Sequence, residues 1–242
     1  MPNSKPILRS GTIVAIGGSW TYADDKAPLG FLPILLRYVR SPRARILHIG
    51  TPSQDSSEKD TDVRRFFGNI ESSLVESIST LSLTPDQTDF AEAEQSILGS
   101  DVIFVSSGNT AAALDIWRRT GVDTYLKQAW KQGTVCAGSS AGALCWFERF
   151  VTDSFGAPQI IDGLGLLPGI ACAHYDSFTE GRALLLSALV KNEAAVGYGI
   201  SDASAIVFRD GTVKAENLGS FKSYRLALNG SRRVRIEELP TD

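Results

Sequence analysis

Cysteine and histidine are scarce in this chain, and each scarcity narrows the chemistry. Three cysteines in 242 residues, Cys136, Cys145 and Cys172, form no C-x-x-C pair and no zinc-ligand spacing. Their odd number and scatter suit a reducing compartment, where thiols pack inside as small hydrophobes. No window offers eighteen uninterrupted apolar residues, so no membrane span is expected. The first residues lack the apolar stretch of a signal peptide, which makes the cytoplasm the expected location. Positive charge is not in excess: 24 Lys and Arg stand against 27 Asp and Glu, for a net charge of −3. A broad field that attracts nucleic acid is therefore excluded. Neither G-x-G-x-x-G nor the P-loop pattern occurs, so no nucleotide cofactor is expected, and without zinc-ligand spacing no metal is expected either. Repeats and low-complexity linkers are absent as well, and residues 1–242 read as one domain.

What is present is a core. Hydrophobic residues make up 43% of the chain, with four Trp and eleven Phe, enough to exclude general disorder. Short, mainly apolar runs at 12–16, 45–49, 101–105 and 133–137 are each followed by glycine or small polar residues, and a further one at 170–173 is followed by His174. Such runs read as buried parallel strands entering loops. Helical stretches at 29–39, 62–70, 110–119, 123–131 and 179–191 lie between them. Strands alternating with helices predict an open α/β sheet with crossover helices on both faces. Towards the end the pattern changes. Residues 205–208 and 212–215 flank Asp210-Gly211 as a hairpin would, and 223–228 and 233–236 read as further short strands.

In such sheets active sites lie outside the carboxyl ends of the strands. Gly138-Ser139-Ser140-Ala141-Gly142 is a G-x-S-x-G at such an end, ahead of an apolar stretch, 143–150, expected to be helical. A sharp turn there lifts the Ser140 oxygen above the sheet, and the flanking glycines remove side chains that would clash. The plainer alternative is a glycine-rich turn with a capping serine. A serine nucleophile needs a base, and the chain holds two histidines. His48 lies inside a strand, where a histidine usually points into packing. His174 follows a strand and opens the polar loop Tyr175-Asp176-Ser177, so it is the candidate base.

The carboxylate that orients the base is read from chain order. Little room lies between Ser140 and His174 for an acid-bearing strand and its crossover, although Asp153 and Asp162 are available. Asp176 is too near His174. An acid after the histidine is more natural, and Asp202 fits. The order Ser, His, Asp argues against an α/β-hydrolase, whose histidine comes last. Acyl transfer also needs donors for an oxyanion. The Ala141 amide follows the nucleophile directly, and Gly108 offers an unobstructed amide at a neighbouring strand end. Asn109 or Thr110 is placed to cap the next helix. Gly17-Gly18-Ser19 reads as a structural turn, and the charged run 53–62 as a solvated loop and helix start.

Taken together, IGGS at 16–19, SSGNTAAAL at 106–114, AGSSAGALCWFE at 137–148, LPGIACAHYDS at 167–177 and GYGISDASAI at 197–206 resemble the dipeptidase E (α-aspartyl dipeptidase) family of serine peptidases, with cyanophycinase as a relative. The resemblance runs in order and spacing over most of residues 12–208. It implies a class I glutamine-amidotransferase-like, flavodoxin-like three-layer sandwich with a mainly parallel sheet and a β-rich C-terminal tail. Position by position it implies Ser140 as nucleophile, His174 as base, and Gly108 and Ala141 at the oxyanion positions. Asp202 stands where members often carry Glu, and Ser107 where a second glycine is common.

An aspartyl dipeptidase must bind a free amine and an acidic side chain. Arg182, one turn into the helix after His174, offers a guanidinium fork for the acid, and Asp153 a partner for the amine. Asn109 and Tyr175 complete the candidate substrate-binding set. The expectation is a serine peptidase of short peptides that releases N-terminal Asp through an acyl-enzyme on Ser140. Three alternatives stay open: a cyanophycinase-like peptidase, a broader peptidase or esterase with the same triad, and a catalytically silent binding module of the same fold. The chain is expected to act as a monomer or homodimer on short peptides, without nucleic acid or membrane.

Overall fold

The computed structural model describes residues 11–19, 30–68, 73–83, 90–229 and 233–241. Along the chain come β1 (Ile13–Ile16), α1 (Leu32–Arg37) and β2 (Ala44–Ile49), then a 3₁₀ turn at Thr51–Ser53. Next are α2 (Ser57–Gly68), β3 (Val75–Leu81), α3 (Phe90–Leu98) and β4 (Val102–Val105). Helices α4 (Thr110–Thr120) and α5 (Val122–Gln132) precede β5 (Val135–Ser139) and the single turn α6 (Ala141–Leu144). Then follow β6 (Phe147–Thr152), β7 (Gln159–Asp162), β8 (Leu167–Ala173), α7 (Thr179–Val190) and β9 (Val196–Ile200). Strands β10 (Ser204–Arg209), β11 (Thr212–Asn217), β12 (Ser223–Leu228) and β13 (Val234–Glu238) close the chain.

The fold is mixed α/β with two sheets. One runs β11-β10-β1-β5-β4-β2-β3, the other β13-β12-β9-β8-β6-β7. Strands β1 to β5 are mutually parallel within the first sheet, and β6, β8 and β9 are parallel within the second. This corrects the expectation of one open sheet carrying the strand at 170–173. The expected helix at 143–150 is also corrected: α6 stops after one turn and the chain enters β6. The reason is visible in β6 itself. Phe147, Phe150 and Val151 are buried while Glu148 faces solvent, a strand built from aromatic and β-branched residues. With no long helix after β5, the chain starts a second sheet instead of crossing back over the first. The helix expected at 62–70 begins earlier, at Ser57, and residues 69–70 lie outside the described residues, as does Leu29 of the one expected at 29–39. Pro33 sits in the first turn of α1, where its missing N–H is harmless.

Strand alternation sorts the core into layers. Ile13, Leu47, Ile103 and Cys136 face α3, α4, α5 and the second sheet. Val14, Ile46, Phe104 and Val135 face α1 and α2, meeting Leu35, Val63 and Phe67. On the outer side of the second sheet, Ile170 and Cys172 meet Leu185 and Leu189 of α7. An aromatic trio joins the sheets: Phe208 meets Phe147 at 5.6 Å and Tyr198 at 5.1 Å, both edge-on. The hairpin of β10 and β11 forms at the expected turn, with Asp210 and Gly211 at φ 49° and 79°, the positive angles that a tight two-residue hairpin requires. No helix among the described residues is long and apolar enough to cross a membrane.

Candidate active site

The carboxyl ends of β1, β4 and β5 converge with those of β6, β8 and β9. Backbone bonds hold them together: Gly17 donates to the Ser204 carbonyl, Ala203 to that of Gly18, and His174 to that of Gly17.

Ser140 sits at the tip of the turn between β5 and α6, with φ 52° and ψ −111°. A non-glycine residue in that region is strained by ~1–3 kcal/mol. The surroundings impose it. The Ser140 N–H donates to the Ile16 carbonyl, and its own carbonyl accepts from Ala143 and Leu144. A Cβ at Gly138 would lie 2.3 Å from the Gly142 oxygen, and one at Gly142 would lie 2.2 Å from the Val105 oxygen. Both glycines of the motif are thus required by close backbone approach.

His174 leaves β8 in the left-handed region, at φ 50°. Its Nε2 lies 2.9 Å from Ser140 Oγ and its Nδ1 2.8 Å from Asp202 Oδ1. A carboxylate only accepts, so Nδ1 carries the proton and Nε2 accepts from the Ser140 hydroxyl. Asp202 is held in turn by Asp176, whose carboxylate accepts from the Asp202 N–H at 3.1 Å. Asp176 thus touches the orienting loop rather than the imidazole. Gly18 is the residue that sequence reasoning underrated. A Cβ there would lie 1.9 Å from Asp202 Oδ1 and 2.4 Å from His174 Cε1, so only glycine lets the imidazole and carboxylate pack on this turn.

Gly108, Ser140, Ala141, Asp153 and His174 line one cleft, closed on its apolar side by Leu144, Val151 and Phe178. Gly108 has φ 139°, and a Cβ on it would lie 2.1 Å from the Pro52 oxygen. Asn109 caps α4, its Oδ1 accepting from the Ala112 N–H at 2.9 Å, and its Nδ2 donates to the Ser154 carbonyl. Arg182 and Tyr175 do not line this cleft. They line the adjoining groove with Asp176, Leu186 and Tyr224. There the Arg182 guanidinium stands 5.7 Å from the Tyr175 ring centroid and forms no ion pair among the described residues. Desolvation raises the Tyr175 phenol above its ordinary range, Arg182 opposing. The thiols lie away from this chemistry. Burial drives Cys136 and Cys145 upward and pushes Cys172 up to about 12, which leaves all three as packing groups. No group of side chains among the described residues is arranged to hold a metal ion.

Residues 13–215 match peptidase family S51. The chain belongs to that family. This is the dipeptidase E and cyanophycinase family that the five motif segments resemble. The chain is similar to the uncharacterized peptidase YgaJ of Bacillus subtilis (strain 168), at 33% identity over 81% of this chain and 82% of that protein. Its fold is similar to a crystallised peptidase of an acI-B1 Actinobacterium, with a TM-score of 0.71 at 18% identity, covering 96% of this chain and 95% of the other. A structure described as a peptidase E protein of Listeria monocytogenes EGD-e has a TM-score of 0.64 at 17% identity, over 87% of this chain and all of that one. At such identities the two structures speak to the fold. Membership of the family makes the chain a member of a peptidase family, and its cleft the place to seek peptide hydrolysis.

Proposed function

We propose that the chain is a cytoplasmic serine peptidase that cleaves short peptides and releases N-terminal Asp. The observation that carries this is the relay from Asp202 through His174 to Ser140, at 2.8 Å and 2.9 Å, ending on a strained serine in a cleft. In this reading Ser140 Oγ attacks the scissile carbonyl while His174 Nε2 takes its proton. Asp202 keeps the imidazole in the accepting tautomer and stabilises the imidazolium. The Gly108 and Ala141 amides receive the oxyanion, each donor contributing about 3 kcal/mol where one has been removed in other enzymes. His174 then protonates the leaving amine, the C–N bond breaks, and water activated by the same imidazole releases the acyl group. Asp153, exposed in the cleft, is suited to the substrate amine. Arg182 is suited to an acidic side chain that reaches into the adjoining groove. Three buried, unpaired thiols accord with a reducing compartment.

Hydrolysis of a dipeptide panel X-Leu, with X varied, tests this. Wild type should cleave Asp-Leu, and Ser140→Ala should lose about 10⁴-fold or more, as when a nucleophile is removed from a triad. Cleavage of other dipeptides with little preference for Asp removes the aspartyl assignment. Retention of activity by Ser140→Ala removes the mechanism.

A further inference from the structure

A second Ser–His–Asp arrangement lies behind the cleft. His48 on β2 is fully buried and is used by no step above. Its Nε2 lies 2.6 Å from Ser106 Oγ, and its Nδ1 3.1 Å from Asp60 Oδ1 on α2. Asp60 also accepts from Arg64 Nε at 2.8 Å and from the Thr80 hydroxyl. The same argument from the carboxylate applies: Nδ1 donates to Asp60, so Nε2 accepts from Ser106. Ser106 is buried and, among the described residues, does not line the cleft, so its hydroxyl is no second nucleophile.

Its place in the backbone is informative. Ser106 is the first residue after β4 and stands two residues before Gly108. Its N–H donates to the Ile49 carbonyl, and its own carbonyl lies against Gly142, where a Cβ would approach it to 2.8 Å. The far end of the loop is tied by Asn109, whose N–H donates to the Pro52 carbonyl at 2.7 Å. The loop bearing Gly108 is therefore anchored twice, and the near anchor is a side chain reaching into the core.

We propose that His48 and Ser106, held by Asp60, are positioning residues for the Gly108 amide, fixing where the loop leaves β4 relative to the Ser140 turn. This rests on the reading that Gly108 and Ala141 receive the oxyanion. The substrate carbonyl oxygen must meet that amide within a few tenths of an ångström as it gains negative charge, and a loop free to drift loses the stabilisation of that charge.

The test uses phosphonylation by a simple alkyl fluorophosphonate, in which Ser140 Oγ bonds to phosphorus, fluoride leaves, and the serine proton passes to His174. Removal of the Ser106 hydroxyl in Ser106→Ala should lower the maximal labelling rate about tenfold, less than deleting an oxyanion donor outright. The concentration for half-maximal rate should stay within about twofold, because that donor acts on the transition state. Ser106→Thr, which keeps the hydroxyl, should restore most of the rate. If Ser106→Ala fails to fold, His48→Leu with Ser106→Ala removes both partners and leaves no orphaned polar atom between them. It should show the same loss. A maximal rate within about twofold of wild type in whichever variant folds overturns the proposal, as does an equal change in half-saturation. Labelling that persists in Ser140→Ala overturns the catalytic reading instead, so the two failures are separable.

Discussion

Two serines in this chain each donate to a histidine that an aspartate holds, and the two arrangements differ in nearly everything except that wiring. The His174 side chain is 40% exposed and that of His48 is 1% exposed. Ser140 is held at φ 52° on a turn, whereas Ser106 continues from a strand without a positive φ. The backbone N–H of Asp202 donates to the Asp176 carboxylate, whereas the Asp60 carboxylate is paired with Arg64 within a cluster. Hydrogen-bond wiring alone thus does not mark a nucleophile. In the proposed reading, access, a turn that projects the oxygen, and amides beside it separate the reactive Ser140 from the anchoring Ser106.

Matched carboxamide substitutions break the comparison most sharply. Asp202→Asn presents an N–H to Nδ1, which favours the tautomer that cannot accept the Ser140 proton. Activity should fall about 10⁴-fold, as for the matching change in a serine protease triad. The melting temperature should stay close to wild type, because Asp202 is partly exposed. Asp60→Asn should do the reverse. Desolvation alone would raise the Asp60 carboxyl, but hydrogen bonds from Thr80, Arg64 and His48 outweigh it and hold the group below its ordinary range. Loss of that charge should remove about 1–3 kcal/mol of stability, with a far smaller loss of rate. Chemical denaturation and fluorophosphonate labelling of both variants decide it. Equal effects on stability at the two positions would erase the distinction.

Gly18→Ala sharpens the catalytic half. The three atoms nearest the new methyl would all belong to Asp202 and His174. The imidazole must shift, and a displacement of ~1 Å in a catalytic group costs about a hundredfold in rate. The expected outcome is a fall of that size in kcat on the best-cleaved dipeptide, with near-normal thermal unfolding. Normal kinetics would show that the imidazole has room that the packing denies.

The parallel strands were legible because a buried strand writes its own boundaries: an apolar run, then glycine where the chain must turn. Ser140, His174 and Asp202 were legible for a related reason, since each follows a strand end and the chain offers so few histidines. The second sheet was not. In the stretch from Ala143 to Phe150 the apolar residues have neither helical nor strand period over so short a window, and sheet membership is decided by pairing with β8, not by local sequence. β3 was missed because its serines and threonine alternate on an exposed edge. From its place inside a strand His48 reads as a satisfied core or surface histidine; it is a core one, but its partners lie 12 and 58 residues away and meet only when α2 and β4 flank β2. Gly18 was read as part of a turn, and its steric role exists only because β8 and β10 bring His174 and Asp202 to it.

The smallest effect concerns acid, and it isolates the buried arrangement. Burial pushes the His48 imidazole below its ordinary value of 6.5, opposed by Asp60 and Asp55 and assisted by repulsion from Arg64. As pH falls through 6.5, the unfolded chain takes up a proton at this position that the folded chain refuses. The stabilisation is therefore complete above that value and is lost as the pH falls towards the folded pKa, at no more than ~1.4 kcal/mol per pH unit. Carboxylates held low by their partners, such as Asp60 and Asp101, act in a more acidic window. His48→Leu with Ser106→Ala removes this group and leaves His174 in place. The difference in unfolding free energy between wild type and the double variant should narrow, or turn in the variant's favour, as urea denaturation moves from pH 7.5 to pH 5. A difference that holds constant, or widens with acid, would mean that His48 accepts a proton without leaving its place, and that its anchor is looser than its burial implies.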